Sequence, residues 1–344
     1  MNILFAGKAG FDYNRTKVLY EGLIKMQNIN VQIFKLKSKT KFDKQKFAEI
    51  TKNIDFIYVP PFRFRDAGFF KKHTKIPIIF DPLVSVFLTR VVDYKQYWKA
   101  PQKFIADFFN FRKCDILIAD TQHHKDYFSS MFKISKKDIF VLPIGVDTQK
   151  FIPNVVKKKD NKFHVGFYGS FIPLQGIFKI IETAKLLQRN VDIVFEIIGD
   201  GHFYKKAKQL SQKYNLKNIN FLGRISYEKL PEYINNFDIA LGIFGDSLKA
   251  DIVIPNKIYH YAAQKKCIIT KETKGIKELF KNNKNIVLCS NEPKDIAEKI
   301  LFLKNNNDFA ERIANNAYDL VSTNYNEIKI AETFLQICYN FKTL

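Results

Sequence analysis

Pro255-Asn256-Lys257 is the triplet best suited to chemistry in this chain. Proline favours the first turn of a helix, and Asn256–Gln264 continues with helical spacing. The first turn of a helix leaves backbone N–H groups unpaired. With Lys257 beside them, they form a seat for phosphate. Lys249 lies just upstream, in the stretch Gly245–Lys249 that reads as a loop. A phosphate-bearing small molecule is the first ligand class to expect.

Other candidates sit where apolar strands end. Gly7-Lys8-Ala9-Gly10-Phe11 is a weak glycine loop that does not match G-x-G-x-x-G, and it reads equally as a tight turn. Arg15 opens the helix after it. Asp81 ends the run Ile78-Ile79-Phe80 and precedes Pro82, so it is either a ligand-facing carboxylate or a turn residue. Asp120 and Thr121 end another run, with His124 one helical turn on; helix capping is the favoured reading there. Three further strand ends carry glycine: Gly169-Ser170 leading through Gln175 to Gly176, Gly199-Asp200-Gly201, and Gly223-Arg224-Ile225. Each is weak alone, but with Pro255-Asn256-Lys257 they would ring one cleft edge. Asp-x-Asp and Walker patterns are both missing. Lys, Arg and helix ends must then neutralise any leaving phosphate, without a metal.

The elements that position these residues alternate from end to end. Strands are expected at 2–6, 31–36, 55–60, 76–80, 115–119 and 139–142, and again at 164–168, 194–198, 219–222, 238–243, 266–270 and 285–288. Amphipathic helices fill the gaps, for example 13–26, 122–132 and 176–188. Such alternation implies an α/β fold of parallel sheets covered on both faces. The pattern restarts near residue 160, after a polar stretch, Pro153–Lys162, that contains Lys157-Lys158-Lys159. Two doubly wound domains are expected, 1–155 and 160–325, facing each other across a cleft. A last helix, 326–344, crosses back onto the first. In open parallel sheets ligands bind beyond the carboxyl ends of the strands.

Composition narrows the class. The 344 residues carry a net charge of +22. Residues 1–160 hold 30 basic and 15 acidic residues, so most of the positive field lies there. An anionic membrane, a phosphorylated substrate or nucleic acid would answer it; uniform Lys richness is the plainer account. No nucleic-acid motif is visible. No apolar run is long enough to span a bilayer, and the N-terminus enters a strand at once, so a cytoplasmic protein is expected. The four cysteines are scattered and read as reduced thiols, and the six histidines lack metal-ligand spacing. Two stretches mix bases and aromatics: Phe62–Lys72 and Tyr97–Lys113. In the second, Phe104, Phe108 and Phe111 share one helical side, which reads as core packing or as an interfacial helix dipping into lipid.

Taken together, Tyr168–Gly176, Phe221–Arg224 and Leu241–Glu278 resemble a glycosyltransferase of the GT-B fold, similar to family 4. The resemblance covers nearly the whole length. It implies two Rossmann-like domains, the second binding a nucleotide sugar and the first an acceptor, with metal-independent and usually retaining transfer. The family's strand-end glycine matches Gly169. The Arg that often follows is Ser170, and the Lys before the second glycine is Gln175. The Glu-x7-Glu pair would fall at Ile252 and His260, while Glu278 stands downstream, and the first-domain His is Asp81.

On this likeness Asp81, Lys257 and Lys249 are the expected catalytic residues. Gly169, Ser170, Gln175, Gly199, Arg224, Ile225, Asn256, His260 and Glu278 are expected on the donor, and Gly10 and Arg15 on the acceptor side. No cofactor or metal is expected. The expected partners are a UDP- or GDP-linked sugar, a glycan or lipid-linked acceptor and an anionic membrane surface, but no nucleic acid. The site of action would be the cytoplasm or the inner face of the membrane. Two alternatives share the fold: a catalytically degenerate module that scaffolds a partner, motivated by the missing glutamates, and a nucleotide-sugar epimerase.

Overall fold

The computed structural model of the protein describes residues 1–154 and 160–343; the expected Lys157-Lys158-Lys159 linker lies outside the described residues. Two compact units divide it. One is Met1–Asp147 with Tyr325–Leu344, and the other is Thr148–Asn324. Both are built on six parallel strands.

In the first unit these are β1 (Asn2–Gly7), β2 (Asn30–Lys35), β3 (Phe56–Val59), β4 (Ile78–Phe80), β5 (Ile116–Ala119) and β6 (Ile139–Val141), in spatial order β2-β1-β3-β4-β5-β6. In the second they are β7 (Phe163–Tyr168), β8 (Ile193–Ile198), β9 (Ile219–Gly223), β10 (Ile239–Leu241), β11 (Cys267–Lys271) and β12 (Val287–Cys289), in order β12-β11-β10-β7-β8-β9. Central strands are covered on both faces and read as unbroken apolar runs, as in Phe56-Ile57-Tyr58-Val59 and Ile116-Leu117-Ile118-Ala119, all buried. The edge strands β2 and β9 are mostly uncovered and carry the polar residues Gln32 and Asn220.

The helix Glu327–Lys342 belongs to the first unit. It packs on the helix Asn14–Ile24, and Phe334 meets Tyr58 with ring centres 5.8 Å apart. Gly22 lets the two backbones touch: a Cβ there would lie 1.9 Å from the Glu327 carbonyl oxygen. Lys25 and Lys342 fasten the helix by ion pairs to Glu327 at 2.9 Å and Asp55 at 2.6 Å.

Two local expectations are corrected, and one open alternative is decided for core packing. The units part at Asp147–Thr148, not at Pro153, because fully buried Phe151 anchors its segment on His260 and Tyr227 within the second unit. The Gly245–Lys249 loop gives way to a short helix, Leu248–Ile252, since the Ser247 hydroxyl caps it by accepting from the Ala250 N–H. The Phe104/Phe108/Phe111 side of the helix Ala100–Phe111 faces the core, where Phe104 and Phe111 meet Phe132.

That helix also buries Asp107 completely, with Oδ2 accepting the Phe87 N–H at 2.7 Å. Burial pushes its carboxyl up to about 7, against the backbone bonds that favour the charge. The folded protein therefore keeps a proton that the unfolded chain has already released. Stability should fall as pH rises from about 4 to about 7 and stay at the lower level above that range. Urea unfolding of Asp107→Asn across this range is expected to lack that part of the slope. Equal slopes in the two proteins would show that Asp107 titrates alike in the folded and the unfolded chain.

Candidate functional site

In the second unit the chain leaves β7 toward β8 on one side, while β10 begins the other half of the sheet. The crevice beyond the ends of β7 and β10 is the topological switch point, where open α/β sheets hold their ligands. The two strand-end loops are tied together there. The Phe244 N–H donates to the Gln175 carbonyl at 3.2 Å, and the Gly245 N–H to the Leu174 carbonyl at 3.1 Å.

Lys257 comes to this point from the first turn of the helix Asn256–Ala263, whose start at Pro255 has no side-chain cap. Its Nζ donates to the Gly242 carbonyl just past β10 at 3.2 Å. It lies 3.6 Å from the centre of the Phe167 ring. A Cβ on Gly169, just past β7, would meet it at 3.0 Å. Lys257 is buried, and among the described residues no carboxylate pairs with it. Burial alone drives its pKa well below the usual lysine range. A desolvated ammonium held by one carbonyl and an aromatic face lacks a counter-charge, which an anion would supply. Buried Gln175 adds its side chain on the same spot, its Oε1 3.2 Å from the Gly169 Cβ position and without a hydrogen-bond partner among the described residues.

From here a row of strand ends runs outward. Gly199 follows β8, and a Cβ on it would lie 1.9 Å from the Gly169 oxygen. Only glycine permits that approach, and its φ of 136° suits glycine as well. The Gly199 N–H donates to the Gly223 carbonyl at 2.7 Å, at the end of β9. Four neighbouring strands from β10 to β9 make a ledge about 14 Å wide. Lys257 stands at one end. Exposed Arg224 and half-buried Ile225 follow β9 at the other, and exposed Ser170 lies between. An extended anion with a planar group at its far end fits such a ledge.

The remaining donor-side candidates sit around this core. Asn256 is half-buried at the helix start, and Glu278 is half-buried in the helix Lys274–Leu279. Lys249 is buried in Leu248–Ile252. His260 does not present its ring to the ledge. It is buried, stacks on Phe151 at 3.8 Å, and joins the Tyr168 hydroxyl through Nδ1 at 2.6 Å. Burial, helped by the charge of Lys150, lowers its pKa to about 3, so the ring is neutral where it meets the Tyr168 hydroxyl.

In the first unit the structure brings Arg15 and Asp81 together, both buried. Arg15 Nε donates to Asp81 Oδ2, which also accepts the Tyr58 hydroxyl at 2.9 Å, while Arg15 Nη2 donates to the Leu142 carbonyl at 2.8 Å. Burial opposes the Arg15 charge, yet Asp81 carries its pKa above the usual range. Asp81 is thus buried and paired through Oδ2 with Arg15 and Tyr58, while its Oδ1 has no hydrogen-bond partner among the described residues. Gly10 packs its turn against Pro60 and Pro61, which fits the tight-turn reading. The sequence reading missed a second buried pair, Asp120 Oδ1 to His124 Nδ1 at 2.6 Å, with Thr121 capping the helix through the His124 N–H at 3.0 Å. Their four-residue spacing at a helix start was the signal for it.

The family profile described as Glycosyl transferases group 1 matches residues 148–320, half of the chain. An uncharacterized glycosyltransferase of Methanocaldococcus jannaschii, MJ1178, is 28% identical over 158 residues, which are 44% of this chain and 40% of that protein. A putative colanic acid biosynthesis glycosyl transferase of Escherichia coli, WcaI, is 29% identical over 110 residues, 32% of this chain and 26% of its own length. The chain thus spans well under two thirds of these curated relatives. In three dimensions, HepE of Anabaena in complex with UDP superposes with a TM-score of 0.75 at 15% identity, covering 100% of both chains. That likeness shows the GT-B fold. HepE has also been solved with UDP-glucose.

Proposed function

Because this chain belongs to the glycosyl transferases group 1 family, we propose that it transfers a sugar from a nucleoside diphosphate sugar to an acceptor hydroxyl. The single observation that carries the donor site is Lys257, desolvated and without a carboxylate partner at the switch point of the second unit. The donor diphosphate lies over Gly169 and the start of the helix Asn256–Ala263, with its base toward Arg224 and Ile225. UDP is the favoured nucleotide, in line with the ligands of HepE. The acceptor we propose is a glycan or lipid-linked intermediate of surface polysaccharide synthesis on the cytoplasmic side; a role in polysaccharide synthesis is in line with the name of WcaI, a putative colanic acid biosynthesis glycosyl transferase.

The step is metal-independent and retaining. The bond from the anomeric carbon to the β-phosphate oxygen breaks as the acceptor oxygen bonds to that carbon on the same face. The acceptor proton passes to the departing phosphate oxygen. The protein's part is to align the reactants and to hold the charge growing on the diphosphate, through Lys257 and backbone N–H groups. Lys249 supports that charge from the neighbouring helix. Asp81 acts at one remove, by fixing Arg15 and Tyr58.

A thermal-shift series with UDP-, GDP- and ADP-sugars, followed by product analysis, tests this reading. One donor class is expected to raise the unfolding midpoint by mass action, and that donor is expected to be turned over without added divalent metal. Stabilisation by none of the three would remove the donor site. Binding without turnover in the presence of acceptor extracts would make the chain a nucleotide-sugar-binding module. Isomerisation of the donor alone would make it an epimerase.

A further inference from the structure

The first unit has an apolar surface that its core does not use. Trp98 is 75% exposed, Tyr97 64%, Phe109 56% and Ile105 53%. On the helix Ala100–Phe111 the exposed positions Pro101, Gln102, Ile105, Ala106 and Phe109 follow one side, and none is charged. Trp98 precedes them in register. From Trp98 to Phe109 this side extends about 16 Å at the helical rise.

Its border decides what fits it. Between residues 88 and 113 the bases are Arg90, Lys95, Lys99, Lys103, Arg112 and Lys113. The only acids there, Asp93 and Asp107, are buried at 3% and 0% exposure. Every charge shown to solvent is therefore positive. A second copy of the chain docking symmetrically would set this basic rim against itself. Nucleic acid would call for bases along the face, whereas they stand at its margins.

We propose that this face docks on an anionic lipid bilayer. Trp98, Ile105 and Phe109 enter the boundary between headgroups and acyl chains, and the rim contacts lipid phosphates. Among the described residues no helix is long and apolar enough to cross a membrane, so the contact proposed is interfacial. It rests on the first unit alone and stands whether or not the transferase reading does.

Trp98 is the only tryptophan of the chain and reports the contact directly. The full chain is mixed with vesicles of phosphatidylcholine, alone or with phosphatidylglycerol. With the anionic vesicles, Trp98 emission is expected to move to shorter wavelength and the protein to float with the lipid. Neutral vesicles should bind at least about tenfold more weakly. The variant Ile105→Ser with Phe109→Ser, changed only at exposed positions, should lose about tenfold or more in partitioning at an unchanged unfolding midpoint. Failure to bind anionic vesicles, equal binding to both kinds, or undiminished binding by the variant would overturn the proposal. So would a dimer that the variant dissolves, since a second copy would then cover the face.

Discussion

Lys257→Met is expected to lower turnover of the nucleotide sugar by about 10²-fold or more, while making the ligand-free protein more stable. The two effects share one cause. Lys257 holds its ammonium against Phe167 and the Gly242 carbonyl, away from water and with no carboxylate to balance it. Methionine keeps the apolar stem and removes the cost of burying the amine, whether it stays charged or gives up its proton, so the free protein gains about 1 kcal/mol, the usual scale for relieving a strained functional position. In the transition state the same ammonium meets the growing charge of the leaving diphosphate, and its loss is felt in kcat. Binding the diphosphate also favours the protonated amine, so donor binding should take up a proton at pH values above the depressed pKa of the free protein. Calorimetry in buffers of different ionisation enthalpy would read that uptake, and Lys257→Met should abolish it. Unchanged kcat together with lower stability would move Lys257 from the site to the scaffold.

Gly22→Ala is expected to destabilise the protein by about 3 kcal/mol, near the upper end for overpacking a close contact. Helix propensity argues the other way, since alanine in a helix gains about 1 kcal/mol over glycine. The clash wins because the new Cβ would sit 1.9 Å from the Glu327 carbonyl oxygen and 2.9 Å from the Ala331 Cβ. Neither is the end of a flexible side chain. The helix Glu327–Lys342 would have to lift, uncovering Phe334 and Ile330, both buried. Ile24→Ala, two positions on and 47% exposed, is the control and should change stability by less than about 0.5 kcal/mol. Chemical denaturation of both variants decides it. A neutral Gly22→Ala would mean that the two helices do not touch there.

The central strands were legible because burial on both faces leaves no alternation to misread, and each run identified in the sequence contains or overlaps a strand. The helix Gln122–Phe132 was legible to the residue, since Thr121 caps its start and left-handed Lys133, with φ 52°, ends it. Leu248–Ile252 was not, because five residues carry too little periodicity for a helix and only the Ser247 cap defines it. Leu88–Asp93, wound as a π-helix, has no pattern to recognise. The site divides the same way. Pro255-Asn256-Lys257 is local, so its chemistry could be read from spacing. Arg15 and Asp81 are 66 residues apart, and each looked like an open functional group until the sheet order joined them. Gln175 reads as a substitution in a motif, whereas its contact with the Gly169 position depends on how the loops after β7 and β10 interlock.

The route of the chain has a consequence for its synthesis. Because Tyr325–Leu344 completes the unit that begins at Met1, the other unit is an insertion within it. A ribosome delivers Thr148–Asn324 in full before the last helix of the first unit exists. The inserted unit can therefore reach its native packing during elongation, whereas the first emerges with the apolar groove for Phe334 and Ile337 uncovered until Tyr325–Leu344 has been made. The part of the protein made first is thus the part finished last.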